Sequence, residues 1–240
     1  MALGMFSIFP TKKNSWEPAY TALVMPMLPF VGLVIGLAWY TTALSTAELP
    51  IMLHSAAIAL TPTILTGALH IDGFMDTADA VLSRRPLEEK RRILKDSTVG
   101  AFAVVSAICM FLLQLCAAYS IAEGGKTFHF LIFIPVVSRS VAGVAVMGLK
   151  PISQSGYMHT FKEGTKLWHI MTIVITSAMS LAVAFATGGV TSLTVLCVVL
   201  SGTAFMSLYL YKQLQGFSGD LCGSAIASGE LFGLITLAVI

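Results

Sequence analysis

The chain has 240 residues, of which 56% are hydrophobic and 11% are charged, and its mean hydropathy is +0.85. Soluble domains carry about 25% charged residues, so this composition excludes an ordinary soluble domain. The net charge of +2 and the lack of a basic block argue against nucleic acid as a partner. The four cysteines have no CxxC spacing and predict neither a zinc site nor a disulfide framework. The composition predicts an all-α, polytopic integral membrane helical bundle in a lipid bilayer.

Seven apolar windows follow one another along the chain, each of roughly the 20 residues that cross a bilayer core as a helix. Pro26 and Pro29 fall in the first window and Pro62 in the second, so we expect kinks or broken turns that face protein. No repeat or soluble linker interrupts the series, and residues 1–240 are predicted to form a single membrane domain. The predicted spans are 20–40, 49–69, 100–121, 128–149, 167–186, 191–211 and 224–240.

The distribution of lysine and arginine predicts which loops face the cytoplasm. With the N-terminus inside, the inner segments hold 12 of the 14 basic residues. The outer loops hold only Lys126, and Arg139 falls inside a span. We therefore expect the segment 70–99 on the cytoplasmic face of the cell membrane. The inner basic residues are Lys12, Lys13, Arg84, Arg85, Lys90, Arg91, Arg92, Lys95, Lys150, Lys162, Lys166 and Lys212.

Three aspartates, Asp72, Asp76 and Asp79, stand in HIDGFMDTADA at 70–80, which contains no lysine or arginine. Their i, i+4, i+7 spacing would place all three carboxylates on one face of a helix. Protonation or a bound cation would relieve the repulsion between them, and hard cations such as Mg²⁺ bind oxygen ligands of this kind. The structural alternative is a solvated helix start, where acidic residues are favoured by the helix dipole.

The stretch RRPLEEKRRILKDSTVGAF, which begins at Arg84, predicts an amphipathic cytoplasmic helix whose charges mostly form a solvated face. Asp96 and Ser97 come just before the third span and could cap that helix. Alternatively, Asp96 could add a fourth carboxylate and Lys95 a cation to the acidic cluster. Residues 70–99 are therefore predicted to form a cytoplasmic catalytic loop with an amphipathic helix.

HIDGFMDTADA followed by ILKDSTVGAFAV resembles the cobalamin synthase family, the adenosylcobinamide-GDP ribazoletransferases. PFVGLVIG at 29–36 is similar to the first-span signature of that family, and GFSGDLCGSAIASGELFGL at 216–234 to its C-terminal glycine-aspartate segment. There is one departure. Ala80 stands where the family often has glycine, and VLSRRP replaces the glycine-rich continuation.

The resemblance implies an enzyme that joins α-ribazole, or its 5′-phosphate, to adenosylcobinamide-GDP. GMP leaves, and adenosylcobalamin or its phosphate forms. Such chemistry needs in-line positioning and neutralised charge more than covalent catalysis. The oligomeric state stays open, with a homo-oligomer as one option.

By motif, the resemblance implies Mg²⁺ as the cofactor and Asp72, Asp76, Asp79 and Asp96 as its ligands. It implies catalytic roles for Asp76, Asp79 and Lys95. Asp79 would accept the hydroxyl proton as an alternative to binding metal, and Lys95 would meet the pyrophosphate. The substrate-binding residues expected on this basis are Arg139, Lys150, Asp220 and Ser97.

Two charged residues, Arg139 and Glu230, lie inside predicted spans, where a charge usually meets a partner or a water-filled cavity. Arg139 could face the carboxylates and a substrate phosphate, or it could form a purely structural pair. Glu230 could pair with Arg139 or bind substrate.

Two other functions compete with the ribazoletransferase. A CDP-alcohol phosphatidyltransferase also uses spaced aspartates, but its motif has an alanine-arginine pair soon after the first glycine, whereas here Gly73 is followed by FMDTAD. An ion-coupled transporter would place carboxylates deep in its spans and show inverted repeats. The acidic cluster lies instead at a predicted cytoplasmic mouth.

Overall fold

Helices dominate the part of the chain that the structure, a computed structural model, describes: residues 1–10, 18–126, 128–153, 157–162 and 164–240. A short 3₁₀ helix covers Pro18–Leu23, and one isolated parallel bridge joins Pro151 to Phe217. The all-α prediction is confirmed. The α-helices are α1 (Ala2–Phe6), α2 (Leu28–Ser45), α3 (Ile51–Leu65), α4 (Leu69–Leu82), α5 (Leu87–Ile93), α6 (Ala101–Glu123), α7 (Phe130–Gly148), α8 (Tyr157–Lys162), α9 (Leu167–Leu214) and α10 (Gly219–Val239).

The first span begins later than the sequence predicts. Helix α2 starts at Leu28 rather than at residue 20, and Pro29 lies in its first turn. Proline is tolerated there because the N–H that it lacks would have no intrahelical partner. Proline therefore starts this helix instead of kinking it. Lys12 and Lys13, which contribute to the predicted orientation, lie outside the described residues.

Five helices are long and apolar enough to span a bilayer, and the bent pair α3–α4 makes a sixth span if its two halves are counted together. Helix α9 has 48 residues and contains a break at Gly189, whose φ of 62° and ψ of −145° are not helical. A straight helix of that length would measure about 72 Å, more than twice the hydrocarbon core of about 30 Å. One membrane crossing cannot accommodate it.

The two arms of α9 run in opposite directions. Ile173 near its start and Leu214 at its end belong to one apolar cluster. Ala184 and Val195, on either side of the break, belong to the other. The chain therefore crosses the bundle twice here, as the predicted spans 167–186 and 191–211 require. Among the described residues, five helices and the bent pair qualify as spans, and counting the two arms of α9 separately would give the seven that the sequence predicts.

Small residues bring α2 and α7 into backbone contact. Gly32 and Gly36 face backbone atoms of Pro135 and Ile132, respectively. Two small residues at this four-residue spacing are typical of close helix pairs in membranes. The PFVGLVIG segment therefore has a packing role that its two glycines explain.

A sharp bend separates the second span from the acidic helix. Gly67 and Ala68 have φ values of 60° and 63°, and α3 and α4 meet at 86°. The span predicted over 49–69 is therefore shorter in the structure, and α4 packs on α10 and α6. This bend places the aspartates of α4 beside the first turn of α10.

The α2–α7 contact predicts that Gly36→Ala destabilises the bundle, because the added methyl group would overlap the carbonyl oxygen of Ile132. Overpacking costs about 1–3 kcal/mol, and each kcal/mol lowers the melting temperature by roughly 2–4 °C in a chain of this size. Thermal unfolding in detergent, followed by size-exclusion chromatography, measures the shift. Gly148→Ala is the matched control, since a methyl group there meets nothing within 4 Å. Equal shifts in both variants would contradict the packing argument.

Candidate active site

A cavity of about 440 Å³ lies where α4, α5 and the start of α10 meet the cores of α2 and α7. Helix α2 packs on α7 and α3, whereas α4 packs on α10, α6 and α5, so two sets of helices approach the cavity from different sides. The side formed by α2 and α7 is apolar. The charged side chains come from α4, α5, the segment after α5 and the start of α10, and one hydroxyl comes from the segment after α7. The polar and charged lining residues are His70, Asp72, Arg91, Lys95, Ser153, Ser218 and Asp220.

Two carboxylates from distant segments of the chain line this cavity, and a third lies one helical turn from the first of them. Asp72 and Asp220 line it. Asp76, which is half-buried one turn after Asp72, is within reach of the negative charges of Asp72, Asp220 and Asp79. Gly73 permits the approach, because a Cβ atom there would lie 2.7 Å from the carbonyl oxygen of Asp220. The structure thus brings together three of the predicted site residues.

A local cap at the start of α10 orients Asp220. The hydroxyl of Ser218 accepts a hydrogen bond of 3.4 Å from the N–H of Leu221 and donates one of 3.2 Å to Oδ2 of Asp220. An acidic side chain in a first turn is favoured by the helix dipole. The glycine-aspartate segment is therefore a serine-capped helix start that holds a carboxylate in the cavity lining.

Asp79 is buried and fixes the start of α6. Its Oδ2 accepts a hydrogen bond of 2.6 Å from the N–H of Gly100, and its Oδ1 accepts one of 2.9 Å from the N–H of Ala103. A Cβ atom at position 100 would lie 2.6 Å from both carboxylate oxygens, so a larger residue there would displace the Asp79 carboxylate. The predicted roles of Asp79 as a metal ligand or proton acceptor stay predictions. The structure adds a capping role, which the sequence analysis considered for Asp96 and Ser97 as one of two alternatives.

The segment before α6 contributes one residue to the cavity. Lys95 lines it. Asp96 is exposed and accepts hydrogen bonds from the N–H and hydroxyl of Thr98, at 3.0 and 2.7 Å, which lower the pKa of its carboxyl. Ser97 is also exposed and does not line the cavity. Metal binding by Asp96 and substrate binding by Ser97 stay predictions.

The two charged residues inside the spans bind each other. Nη1 of the fully buried Arg139 lies 2.5 Å from Oε1 of Glu230, which also accepts a hydrogen bond of 3.2 Å from Ser138. Of the two roles left open for Glu230, the structure shows the pair. Lys150 is exposed, and its carbonyl accepts the N–H of Phe217 at 2.9 Å. Neither Arg139 nor Lys150 lines the cavity, so their contacts with substrate stay predictions.

The carboxylates at the cavity suit a hard divalent cation that the substrate also helps to bind. In the described ranges, no three His, Cys, Asp or Glu side chains are grouped closely enough to hold a metal by themselves. Mg²⁺ is commonly held by one or two carboxylates plus substrate phosphates, and Asp72 and Asp220 can supply those two. Among the described residues, neither of them forms a salt bridge.

Known proteins resemble this chain along its whole length. A model of the family described as cobalamin-5-phosphate synthase matches residues 1–238. The chain belongs to this family. The match confirms the resemblance inferred from the motifs and does not favour a CDP-alcohol phosphotransferase or a transporter.

Several relatives of this chain are named adenosylcobinamide-GDP ribazoletransferase. One from Clostridium perfringens is 38% identical, over 100% of this chain and 96% of the relative. One from Clostridium botulinum is 34% identical, over 98% and 94%. One from Geobacillus kaustophilus is 28% identical, over 99% and 94%. No solved structure shows a significant match.

Two residues lining the cavity of this cobalamin-5-phosphate synthase family member were not recognised from the sequence. Arg91, assigned to a solvated helix face, donates from Nε to the carbonyl of Leu214 and from Nη2 to that of Gln215, at 3.0 Å each. His70 is buried in the lining, and among the described residues neither of its ring nitrogens has a hydrogen-bond partner. The partners of Arg91 lie more than a hundred positions away, so no local pattern could indicate them.

The capping role of Asp79 predicts that Asp79→Ala destabilises the protein as well as affecting activity. Two N–H groups at the start of α6 would lose their acceptor, and a buried unsatisfied group costs about 1–3 kcal/mol. Asp79→Asn keeps one acceptor oxygen and should recover roughly half of the loss. Melting temperatures of the two variants measure this order. Asp96→Ala, at an exposed site, should melt close to the wild type. If Asp96→Ala is as unstable as Asp79→Ala, the capping assignment is wrong.

The buried ion pair predicts a strong dependence of stability on having both partners. Arg139→Met or Glu230→Met alone leaves one buried charge unpaired, at a cost of about 3–5 kcal/mol. The double variant removes both charges and should be more stable than either single variant. Yield of monodisperse protein and melting temperature test this order. A double variant that is no better than the single variants would indicate that the two side chains act independently.

Proposed function

We propose that this chain is an adenosylcobinamide-GDP ribazoletransferase, the activity for which its relatives are named. It joins α-ribazole, or its phosphate, to adenosylcobinamide-GDP and releases GMP. The observation that carries the proposal is a cavity lined by Asp72, Asp220, Lys95 and Arg91, with Asp76 one helical turn after Asp72. Phosphoryl transfer requires carboxylates that can hold a divalent cation and cations that can meet phosphate oxygens.

In the proposed reaction, a ribose hydroxyl of α-ribazole attacks the cobinamide-side phosphorus of the pyrophosphate. A new oxygen–phosphorus bond forms, the bond from that phosphorus to GMP breaks, and the hydroxyl proton passes to a carboxylate. Asp76 is the proposed acceptor, because among the described residues its carboxylate forms no hydrogen bond, whereas both oxygens of Asp79 are occupied by N–H groups of α6. General-base assistance of this kind contributes about 10²–10⁴-fold to a rate.

Asp72 and Asp220 are the proposed Mg²⁺ ligands, since both line the cavity and neither has a cationic partner among the described side chains. When bound, Mg²⁺ would neutralise charge on the pyrophosphate and on the leaving GMP. Lys95 would contact phosphate oxygens from the segment after α5. Arg91 would do the same from α5 with the guanidinium N–H groups that do not bind the carbonyls of Leu214 and Gln215.

The cavity is proposed to open on the cytoplasmic face of the membrane. Several apolar helices make the chain a multi-pass membrane protein. The cavity is lined by Arg91 and Lys95, which belong to the basic segments that the positive-inside rule places in the cytoplasm. A phosphorylated nucleoside and a GDP conjugate would reach it there without crossing the bilayer.

The proposed activity predicts that purified protein, given adenosylcobinamide-GDP, α-ribazole and Mg²⁺, releases GMP, and that removal of the metal with EDTA stops release. Asp76→Asn should lower kcat by about 10²–10⁴-fold. Asp72→Asn should raise the Mg²⁺ concentration needed for half-maximal rate, because it removes a ligand oxygen. Chromatographic quantification of GMP over a Mg²⁺ titration distinguishes the two effects.

Glu48→Gln is the matched control, because it neutralises an exposed carboxylate in the loop between α2 and α3, away from the cavity lining. It should leave both kcat and the Mg²⁺ dependence unchanged. Absence of GMP release from folded wild-type protein would overturn the function. Full activity of Asp76→Asn and Asp72→Asn would overturn the site.

A further inference from the structure

The proposed reaction has three bulky groups to place: the corrin ring, the guanine of GDP and the base of α-ribazole. We propose that the 440 Å³ cavity is the binding site for α-ribazole, with its base on the apolar wall that includes Leu28 of α2 and Val146 of α7. This inference rests on the proposed function. It adds the location of one substrate and a residue, Val146, that selects it.

The apolar wall is built from the protein core. Met25, Leu28, Val146, Phe161 and Phe217 line the cavity, and each is less than 5% exposed. All five belong to one continuous apolar cluster. Core side chains are close-packed and held in defined rotamers, so this wall is preformed rather than assembled by the ligand.

The composition of the lining disfavours guanine. The edge of guanine carries several hydrogen-bonding groups, and each one buried without a partner costs about 1–3 kcal/mol. The side chains of the apolar wall, Met25, Leu28, Val146, Phe161 and Phe217, offer no such partner, so a guanine lying against this wall would leave its edge unpaired. The base of α-ribazole is dimethylbenzimidazole, a flat bicyclic ring with two methyl groups and no N–H donor, which an apolar wall accommodates without this penalty.

The volume of the cavity disfavours the corrin ring. Pockets for drug-sized ligands measure about 300–1,000 Å³, and 440 Å³ lies in the lower part of that range. A nucleoside has the size of such a ligand. A corrin macrocycle with its amide side chains is several times larger than a nucleoside base, so it must lie outside the cavity with only its phosphate-bearing arm reaching in.

The two sides of the cavity match the two halves of α-ribazole. With the base against α2 and α7, the ribose points towards α4 and α10, where Asp72 and Asp220 line the cavity and Asp76 lies nearby. Lys95 and Arg91 line the same side and can meet a phosphate on the nucleoside. This orientation brings the attacking hydroxyl to the carboxylate proposed to take its proton.

The test compares substitutions at two valines of α7 that lie two positions apart. Val146 is 2% exposed and lines the cavity, whereas Val144 is 36% exposed and does not. Val146→Phe fills part of the cavity and should raise the KM for α-ribazole about tenfold or more, since overpacking a preformed wall is costly. The KM for adenosylcobinamide-GDP should stay within about twofold. Val144→Phe should leave both values unchanged.

A second variant, with a smaller change, provides a test in case Val146→Phe does not fold. Val146→Thr keeps the shape of the side chain but adds a hydroxyl to the wall, and it should raise the KM for α-ribazole several-fold. Equilibrium dialysis of α-ribazole against full-length protein gives the same comparison without turnover.

If both Val146 variants fold and bind α-ribazole like the wild type, the nucleoside does not occupy this cavity. A selective rise in the KM for adenosylcobinamide-GDP would assign the cavity to the other substrate and leave the proposed function standing. Absence of GMP release together with loss of α-ribazole binding in Val146→Phe would overturn the function but not the site.

Discussion

The geometry of the site depends on the close approach of α4 and α10. Two glycines permit it: a Cβ atom at Gly73 would lie 2.7–3.1 Å from backbone atoms of Asp220, and one at Gly223 would lie 3.2 Å from the Cα atom of His70. A side chain at either position would push the helices apart and separate Asp220 from Asp72. The separation of the two backbone segments that carry these carboxylates is therefore set by helix packing.

Packing α4 against α10 brings several carboxylates close together. Part of the repulsion between them is offset because two of them lie at the N-terminal ends of helices. The carboxylate of Asp79 accepts two N–H groups at the start of α6, where the helix dipole favours an anion. Asp220 occupies the first turn of α10 and gains from the dipole in the same way. Asp72 is exposed to solvent, which screens its charge. Asp76 has no such compensation among the described residues, so the charge that a cation would neutralise is concentrated at the cavity.

The sequence predicted the membrane bundle well because long apolar windows depend on local composition alone. Even the reversal inside α9 could be expected, since no single span needs 48 residues. The predicted ends of two spans were wrong, because local backbone conformation rather than hydropathy determines where those helices begin and end. Pro29 starts α2 late, and the left-handed residues Gly67 and Ala68 end the second span early. Hydropathy contains no information on either effect.

The sequence could predict those site residues that repeat at helical spacing or that lie in a segment resembling the family. The spacing indicated Asp72 and Asp76, and the C-terminal segment indicated Asp220. The contacts of Arg91 with the end of α9 and the pairing of Arg139 with Glu230 join residues about a hundred positions apart. Charge and span position could suggest the second pair as one option but could not select it, because the rotation of each helix in the bundle decides which side chains meet.

The three aspartates of α4 are regularly spaced, but their contacts in the structure differ. Uniform spacing suggests three equivalent ligands, yet the third carboxylate is covered by the start of α6. Because Asp79 binds the N–H of Gly100, it fixes the end of the segment that follows α5, and that segment carries Lys95 into the cavity lining. Asp79 thus holds the end of the segment that carries Lys95, the proposed pyrophosphate contact, whereas Asp72 is a proposed metal ligand. Loss of activity on mutation of each aspartate would therefore not show that each one binds metal, since the third also fixes the start of α6.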